Sequence, residues 1–526
     1  MVVKIRMAIR KGKKMYNDYE NFKKENRLKL FGHEDAGKED DTRLTSYYYK
    51  TIQYEEVMSD IGLQIVMGEK GTGKSALLKM AYIECDNLDI VPIWIRLDDL
   101  SELYTEILSN ENLYSLKTLW KKAISKLVIM NLVSHMNFIN GADCEKAAQW
   151  AYEYGYKEKD FISRSAGIVK PIYEQWVNSE LDESSGEQHM LQRFIEKKQV
   201  RLFLDDFDLD WKGKASDIRR IKSLLLSLSD MTSDMKGLSA RIALRTDVYE
   251  MMRTQEFSDK FESSLIKCQW NNQEIMIALA KRICTYFDEK FDETILENQN
   301  NLQYNIARYL DLIFAPKFDR STRVWANAPT HRVIYSLIRR KPRDMVKLCY
   351  SAADEAYKKK KKIIDASCFL SILESYSRER LRDLINEYQN QMPQIGKLLM
   401  LMAPSKNEMK IKLVERYVYD TKELYEKIKN IQNNLTINIY QPDKENLVIA
   451  DFHMIAHFLY MIGFITGRKR NSSGKIDRVY YDESPYLLDN NVGDRGYSWE
   501  IHPAYRGALA NGNSDNWEAT LDMEES

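Results

Sequence analysis

Residues 63–84 read LQIVMGEKGTGKSALLKMAYIE and combine an apolar run, a glycine-rich loop and a helical pattern. The apolar run 63–67 predicts a buried strand, and residues 76–84 predict a helix. Between them, residues 68–75 (GEKGTGKS) fit the pattern G-x-x-x-x-G-K-[ST] at every fixed position. Glycines let backbone N–H groups surround phosphates, and the N-terminus of the following helix attracts an anion. The stretch therefore predicts a phosphate-binding loop in an α/β protein.

This loop supplies the predicted cofactor site, because its residue types match what a magnesium-bound triphosphate requires. We expect Mg-ATP to be held by Gly68, Glu69, Lys70, Gly71, Thr72, Gly73, Lys74 and Ser75. Lys74 is expected to contact the β- and γ-phosphates and to act in catalysis, and the Ser75 hydroxyl is expected to bind Mg²⁺. The alternative is a glycine-rich turn with an incidental lysine. It does not account for the strand before the loop and the helix after it.

A second acidic motif follows a strongly apolar segment. Residues 200–206 read VRLFLDD, which predicts a buried strand that ends in two carboxylates. Asp205 is the predicted metal ligand, and Asp206 is the predicted catalytic base that orients or deprotonates the attacking water. A further predicted strand, 90–97, lies between the two motifs along the chain. This arrangement favours the ASCE division of P-loop NTPases, in which a strand is added and an acid stands beside the metal ligand.

Two arginines are candidate sensors of the nucleotide. Arg245 stands at the end of the predicted strand 240–244 and is expected to reach the γ-phosphate or its water as a catalytic residue. Arg343 lies in RRKPRD, residues 339–344, at the start of a predicted helix, and is expected to bind the nucleotide from a lid. An ion pair at the strand end for Arg245, and a helix-capping or DNA-facing role for Arg343, remain the alternatives.

Composition excludes several classes of protein. The chain has 526 residues, enough for about two to four domains. Lys and Arg number 78, as do Asp and Glu, so net charge indicates no polyanionic partner. No run of 18 apolar residues predicts a membrane span. The six cysteines lack metal or disulfide spacing, which favours a reducing, cytoplasmic location.

The chain divides into four predicted parts. Residues 1–55 form a charged N-terminal segment, and residues 56–272 form the α/β core. The core contains a helical insertion over about residues 101–190. Residues 273–375 are expected to form a helical lid, and residues 376–526 a helical linker with a C-terminal domain.

The C-terminal pattern predicts a winged-helix-like fold, since an apolar helix over residues 451–462 precedes a hairpin. The hairpin carries five cations, Arg468, Lys469, Arg470, Lys475 and Arg478. They are candidate contacts to the phosphates of double-stranded DNA. A wing that contacts protein or solvent is the alternative.

The chain resembles AAA+/STAND-type ATPases, the broad group that includes origin-recognition and KAP-like proteins, and more narrowly a poorly characterised bacterial P-loop ATPase family. Four stretches carry the narrower resemblance: LFGHEDAGKEDDTRLTSYYYKT (30–51), FLDDFDLDW (203–211), ALRTDVYEMM (243–252) and HRVIYSLIRRKPRDMVKLC (331–349). Two C-terminal stretches, IGFITGRKR (462–470) and SWEIHPAYR (498–506), also look similar to the family. The resemblance implies an ASCE P-loop core, a helical lid, a winged-helix-like end and a role in bacterial defence against phage or mobile DNA. The Asp205-Asp206 pair departs from the more common Asp-Glu.

Three functional hypotheses follow. The first is an ATP-hydrolysing switch or motor that forms a homo-oligomer. The second is a scaffold that binds ATP without hydrolysing it and recruits an effector protein. The third is an initiator- or loader-like protein in which ATP regulates the grip on DNA. Turnover separates the first from the second, and salt-dependent DNA affinity identifies the third.

Overall fold

The computed structural model describes residues 16–521 except 35, 136–190, 193–194, 196–198, 210, 254, 297–301, 320–324, 413–414, 442–443, 445, 471–475, 489–495 and 511–520. The chain forms two compact units. The first, called here the sheet unit, comprises Ile52–Gly68 and Lys74–Cys268. The second, the helical unit, comprises the described residues of Met1–Thr51, Glu69–Gly73 and Gln269–Ser526.

Eleven strands are described. They are β1 (Leu63–Gly68), β2 (Val91–Ile95), β3 (Val200–Leu204), β4 (Leu238–Arg245), β5 (Leu265–Lys267), β6 (Val418–Tyr419), β7 (Asn438–Gln441), β8 (Asn446–Ile449), β9 (Ile465–Arg470), β10 (Ile476–Val479) and β11 (Ser498–Ile501).

Nineteen α-helices are described. They are α1 (Lys24–Phe31), α2 (Asp41–Tyr47), α3 (Ile52–Met58), α4 (Lys74–Cys85), α5 (Ser101–Ser109), α6 (Leu113–His135), α7 (Ala215–Asp234), α8 (Thr246–Met252), α9 (Gln255–Phe261), α10 (Asn272–Tyr286), α11 (Leu302–Leu310), α12 (Thr330–Leu337), α13 (Pro342–Lys358), α14 (Ala366–Tyr388), α15 (Ile395–Leu401), α16 (Lys406–Ile411), α17 (Thr421–Gln432), α18 (Phe452–Met461) and α19 (Pro503–Leu509).

The sheet unit is built on a parallel five-stranded sheet in the order β2-β3-β4-β1-β5. Strands β1 and β3 are buried along their whole length, as expected for near-continuous apolar segments in a parallel sheet. The strand between them in the sheet is β4, whereas β2, which lies between them along the chain, forms an edge. All five strands run in one direction, so the loop after β1 and the acids after β3 both lie at the carboxyl end of the sheet. The α/β P-loop ATPase fold expected from the sequence is therefore confirmed.

Helices cover this sheet, and one buried tryptophan fixes two of them. Helix α6 packs on α7, and the fully buried Trp120 donates from its indole Nε1 to the Arg220 carbonyl at 3.2 Å and to Ser223 Oγ at 3.1 Å. Helices α5 and α6 lie in the predicted insertion, as the helical pattern indicated. Its remainder, residues 136–190, lies outside the described residues, as do the basic residues 1–15.

Two buried arginines close the opposite end of the sheet. Arg241 on β4 donates to the carbonyls of Val57 at 2.7 Å and Ile61 at 2.9 Å. Arg201 on β3 donates to the Met58 carbonyl at 3.2 Å. Because the last carbonyls of a helix lack partners within it, the contacts to Val57 and Met58 cap the end of α3. Burial, with the nearby charge of Arg201, lowers the pKa of Arg241 to about 9.

The helical unit packs around one continuous apolar core that runs from Phe22 to Leu521. Helix α13 begins with Pro342, which is suited to a first helical turn. Beside it, Asp344 is buried and accepts from Arg339 Nε at 2.6 Å and from Arg380 Nη1 at 2.5 Å. The charges of the two arginines outweigh burial and hold the pKa of Asp344 well below its usual range. The start of α13 is therefore fixed by charge as well as by packing.

The C-terminal region of this unit contains an antiparallel sheet in the order β10-β9-β11-β6, together with α17, α18 and α19. Helix α18 precedes the hairpin β9–β10, as the sequence predicted, and Asp451 caps it by accepting from the Met454 N–H at 2.9 Å. The hairpin turn, including Lys475, lies outside the described residues. No helix in the described ranges combines the length and the apolar character needed to cross a membrane.

Candidate functional site at the phosphate loop

The two ends of loop 68–75 belong to the sheet unit, where β1 ends at Gly68 and α4 begins at Lys74. Lys74 Nζ donates to the Gly68 carbonyl oxygen at 2.8 Å. The hydroxyl of the next residue, Ser75, is hydrogen-bonded to the carboxylate of Asp205. The structure thus brings the predicted metal-binding hydroxyl against the predicted metal-binding acid.

Asp205 follows β3 directly and is buried, with 7% of its surface exposed. Burial raises its pKa to about 6, and the charge of Asp206 acts in the same direction. The Ser75 hydrogen bond, the charge of Lys74 and the Asp206 backbone N–H, 3.1 Å from Oδ1, oppose only part of this shift. A hydroxyl and a carboxylate are hard oxygen donors of the kind Mg²⁺ selects, and a cation here would favour the ionised acid. The donor set therefore fits Mg²⁺.

Asp206 has an unusual backbone conformation. Its φ is +61°, in the left-handed region that residues other than glycine rarely adopt, and the residue is exposed. Such conformations concentrate at functional sites, where the surrounding structure compensates for their cost. The residue predicted as the base is thus solvent-accessible and next to the buried acid.

Arg245 is engaged by two acids that sequence reasoning did not assign. Its backbone N–H donates to Asp208 Oδ2 at 2.9 Å, and its guanidinium Nε donates to Asp247 Oδ1 at 2.9 Å. Asp208 thereby ties the end of β3 to the end of β4. The ion pair with Asp247 is the alternative that the sequence left open for Arg245. The DLD and RTD tripeptides were visible in the sequence, but nothing in them showed that they meet.

The middle of the loop, Glu69–Gly73, belongs to the helical unit. The Glu69 carboxylate forms an ion pair with Lys341, and the Lys70 backbone N–H donates to Glu387 Oε1 at 2.9 Å. Trp270 Nε1 donates to the Thr72 carbonyl at 2.6 Å. Sequence reasoning missed all three partners. Lys341 stood within the quoted RRKPRD, whereas Glu387 and Trp270 carried no signal.

Arg343 lies in the first turn of α13, against the loop. Its backbone N–H donates to the Gly71 carbonyl at 3.2 Å, and its Nε donates to the Glu34 carbonyl at 3.3 Å. Gly71 has φ +90°, and a Cβ added there would lie 2.9 Å from Arg343 Cβ. Glycine is therefore required at this position by both conformation and space.

An open cavity of about 740 Å³ adjoins these residues within the helical unit. Lys70 and Arg343 line it, together with Gly32 and His33 from the N-terminal segment and Tyr350 from α13. Its volume lies in the range of about 300–1,000 Å³ that is usual for small-molecule sites.

The hairpin cations are less available to a polyanion than the sequence suggested. Arg468 and Arg478 are buried and face the buried carboxylate of Glu500. Arg470 is exposed but pairs with Glu415 at 2.8 Å. At least two of the five candidate DNA contacts therefore stabilise the C-terminal sheet.

Comparisons with known proteins give distant likenesses. No family model matches the chain. A curated relative, the putative transposon gamma-delta 80.3 kDa protein of Escherichia coli (strain K12), is 20% identical over 506 residues. The alignment covers 89% of this chain, and the chain spans only 65% of that relative's length.

Three solved structures are similar at low identity. The Aeropyrum pernix ORC1 protein in complex with DNA is 12% identical, with a TM-score of 0.30 and coverage of 88% of this chain and 95% of that one. The Aeropyrum pernix ORC2 protein (ADPNP–ADP complexes) is 11% identical, with a TM-score of 0.37 and coverage of 87% and 89%. Cdc6p from Pyrobaculum aerophilum is 11% identical, with a TM-score of 0.27 and coverage of 93% and 95%. At TM-scores this low, what can be said of this chain rests on its own loop, strand order and acids.

Proposed function

We propose that this chain binds Mg-ATP at loop 68–75 and hydrolyses it to ADP and phosphate. One observation carries the proposal. A complete phosphate-loop sequence ends in Ser75, whose hydroxyl lies against Asp205, a buried acid with a pKa raised to about 6. Burying a carboxylate without full compensation is costly, so such a residue is a candidate for ligand binding.

The residues of the loop would share the work of binding. Lys74 would exchange the Gly68 carbonyl for the β- and γ-phosphate oxygens, and the backbone N–H groups would surround the remaining oxygens. Ser75 and Asp205 would hold Mg²⁺, which when bound supplies positive charge to the phosphates.

Hydrolysis would require a water placed by the exposed acid. Asp206 would accept a hydrogen bond from that water and orient it, or remove its proton. Arg245 would act as a sensor of the γ-phosphate once its guanidinium exchanged Asp247 for the phosphate. Arg343 would contribute its guanidinium to the nucleotide from the first turn of α13.

A second candidate, the non-hydrolysing switch, is favoured by two observations. Arg245 is held by Asp247, and the second acid is Asp206 rather than the longer Glu. In that case ATP would gate the recruitment of an effector protein.

We further propose that the chain forms a homo-oligomer, is cytoplasmic, contacts DNA and acts in antiphage defence or DNA transactions.

Binding of a fluorescent ATP analogue, with and without Mg²⁺, tests the first step. We expect Lys74→Ala to weaken binding at least about tenfold, because a charge-assisted contact is worth more than about 1.4 kcal/mol. Lys79→Ala, on the same helix, is the matched control and should bind as the wild type does. Equal affinity of the Lys74→Ala variant and the wild type would contradict the proposal.

A further inference from the structure

Four consecutive residues of the phosphate loop, 69–72, have partners elsewhere in the helical unit, to which they belong. The Glu69 carboxylate pairs with Lys341, the Lys70 N–H with Glu387, the Gly71 carbonyl with the Arg343 N–H, and the Thr72 carbonyl with Trp270 Nε1. A loop that surrounds phosphates needs its inward N–H groups free. Three of these four contacts engage the Glu69 side chain or a carbonyl of the loop, and the fourth occupies the Lys70 N–H, which is therefore not among the N–H groups that would surround the phosphates.

Glu387 is the unusual member of this set. It lies in the last turn of α14, 5% exposed, and its carboxylate Oε1 accepts the Lys70 N–H at 2.9 Å. A buried carboxylate beside an anion-binding loop repels the phosphate, so its presence requires a compensating role. The charge of Lys341, itself 3% exposed, faces both Glu69 and Glu387 and balances part of this cost.

Lys341 is in turn part of a rigid start to α13. It is the residue immediately before Pro342, and Asp344, three positions on, is bound by Arg339 and Arg380. Its ammonium therefore projects from a segment whose backbone is already fixed. A group held in this way can fix a loop at low entropic cost.

We propose that Glu387 is a positioning residue of the phosphate loop, with Lys341 as its counter-charge. This proposal rests on the proposed nucleotide site. By accepting the Lys70 N–H, Glu387 keeps the second and third positions of the loop in place, so ATP meets a preformed cradle. Ordering a free backbone costs about 1–2 kcal/mol per residue, and Glu387 removes part of that cost from the binding step.

Three substitutions at this position separate the hydrogen bond from the charge. Glu387→Gln keeps an oxygen that accepts the N–H and removes the charge. Glu387→Asp keeps the charge but withdraws the oxygen by one methylene, and Glu387→Ala removes both. Glu374→Gln, on the exposed face of the same helix and paired with Arg378, is the control.

The full chain is titrated with a fluorescent ATP analogue in Mg²⁺, and phosphate release is followed over a range of ATP concentrations. We expect Glu387→Asp and Glu387→Ala to raise Kd and KM for ATP about tenfold, with kcat within about twofold. Glu387→Gln should bind within about threefold of the wild type. If Glu387→Ala does not fold, the aspartate variant alone decides.

Two results would overturn the assignment. The first is wild-type affinity in both Glu387→Asp and Glu387→Ala. The second is a glutamine variant as weak as the alanine variant. Either result is distinguishable from failure of the proposed function, because in that case the wild type itself would not bind, or would bind independently of Lys74.

Discussion

Two buried carboxylates of this protein have opposite electrostatic surroundings. Asp205 in the sheet unit is buried beside Asp206, and its pKa is raised to about 6. Glu500 in the helical unit is fully buried, but the charges of Arg478 and Arg506 outweigh burial and hold its pKa at about 2. The negative charge of Glu500 is balanced by arginines within the protein. The charge of Asp205 is not fully balanced in this way, so this acid is suited to bind a cation.

Asp344 belongs with Glu500 in this comparison. It is 1% exposed and lies between Arg339 and Arg380, and its pKa is lowered. Burial alone therefore does not mark a site in this molecule. Among these three acids, the sign of the pKa shift separates the two that arginines neutralise from the one we assign to the metal.

The largest expected effect on stability is at Glu500. Glu500→Gln leaves Arg468, Arg478 and Arg506 buried around a neutral amide, so we expect a loss of about 3–5 kcal/mol in the free energy of unfolding. Urea denaturation followed by circular dichroism measures it. The control is Glu415→Gln, which is 51% exposed, contacts Arg468 and Arg470, and should cost at most about 1 kcal/mol. Equal losses in the two variants would show that the buried Glu500 contributes no more to stability than the exposed Glu415.

Acid titration sharpens the same point. The pKa of Glu500 is lowered from 4.5 to about 2, so its carboxylate stabilises the fold fully above pH 4.5, and this contribution is lost as the pH falls through about 2. The Glu500→Gln variant should lack this part of the acid dependence. An identical pH dependence of unfolding in wild type and variant would contradict the assignment.

A smaller effect of opposite sign is expected at Asp205. The pKa of Asp205 is raised from 3.8 to about 6, so stability is lost as the pH rises from about 4 through 6, and Asp205→Asn should stabilise the ligand-free protein by about 1–2 kcal/mol at pH 7.5. Its amide oxygen still accepts from Ser75 and the Asp206 N–H. Thermal unfolding in EDTA measures the change, and Asp206→Asn, which removes only the lesser cause of the shift, should stabilise the protein less than Asp205→Asn does. A clear destabilisation by Asp205→Asn would show that the acid serves the fold.

The sheet and the candidate site residues at its carboxyl end could be predicted from the sequence because the relevant patterns are local. Buried parallel strands read as apolar runs, and residues 63–67 and 200–204 were therefore predicted where β1 and β3 lie. The loop after β1 matched a motif whose spacing follows from its chemistry. The roles of Lys74, Ser75, Asp205 and Asp206 remain predictions that the experiments here address.

The residues that contact the loop could not be predicted, because they are remote from it in the sequence. Glu387 contacts Lys70 from 317 positions away, and no local pattern marks that glutamate. The hairpin is a different case. Arg468 and Arg478 are directly paired in the β9–β10 register, so the two-residue period of a strand places both on one face, here the buried one. Charge counting treated all five cations alike, whereas strand alternation separates them.

The most direct test of the account is steady-state release of phosphate from Mg-ATP by the wild type and by Asp206→Asn and Lys74→Ala. We predict measurable turnover in the wild type and a loss of at least about a hundredfold in both variants, the scale expected for removing a catalytic base. Turnover in Lys74→Ala equal to that of the wild type would contradict the central claim that loop 68–75 and the acids after β3 form an ATPase site.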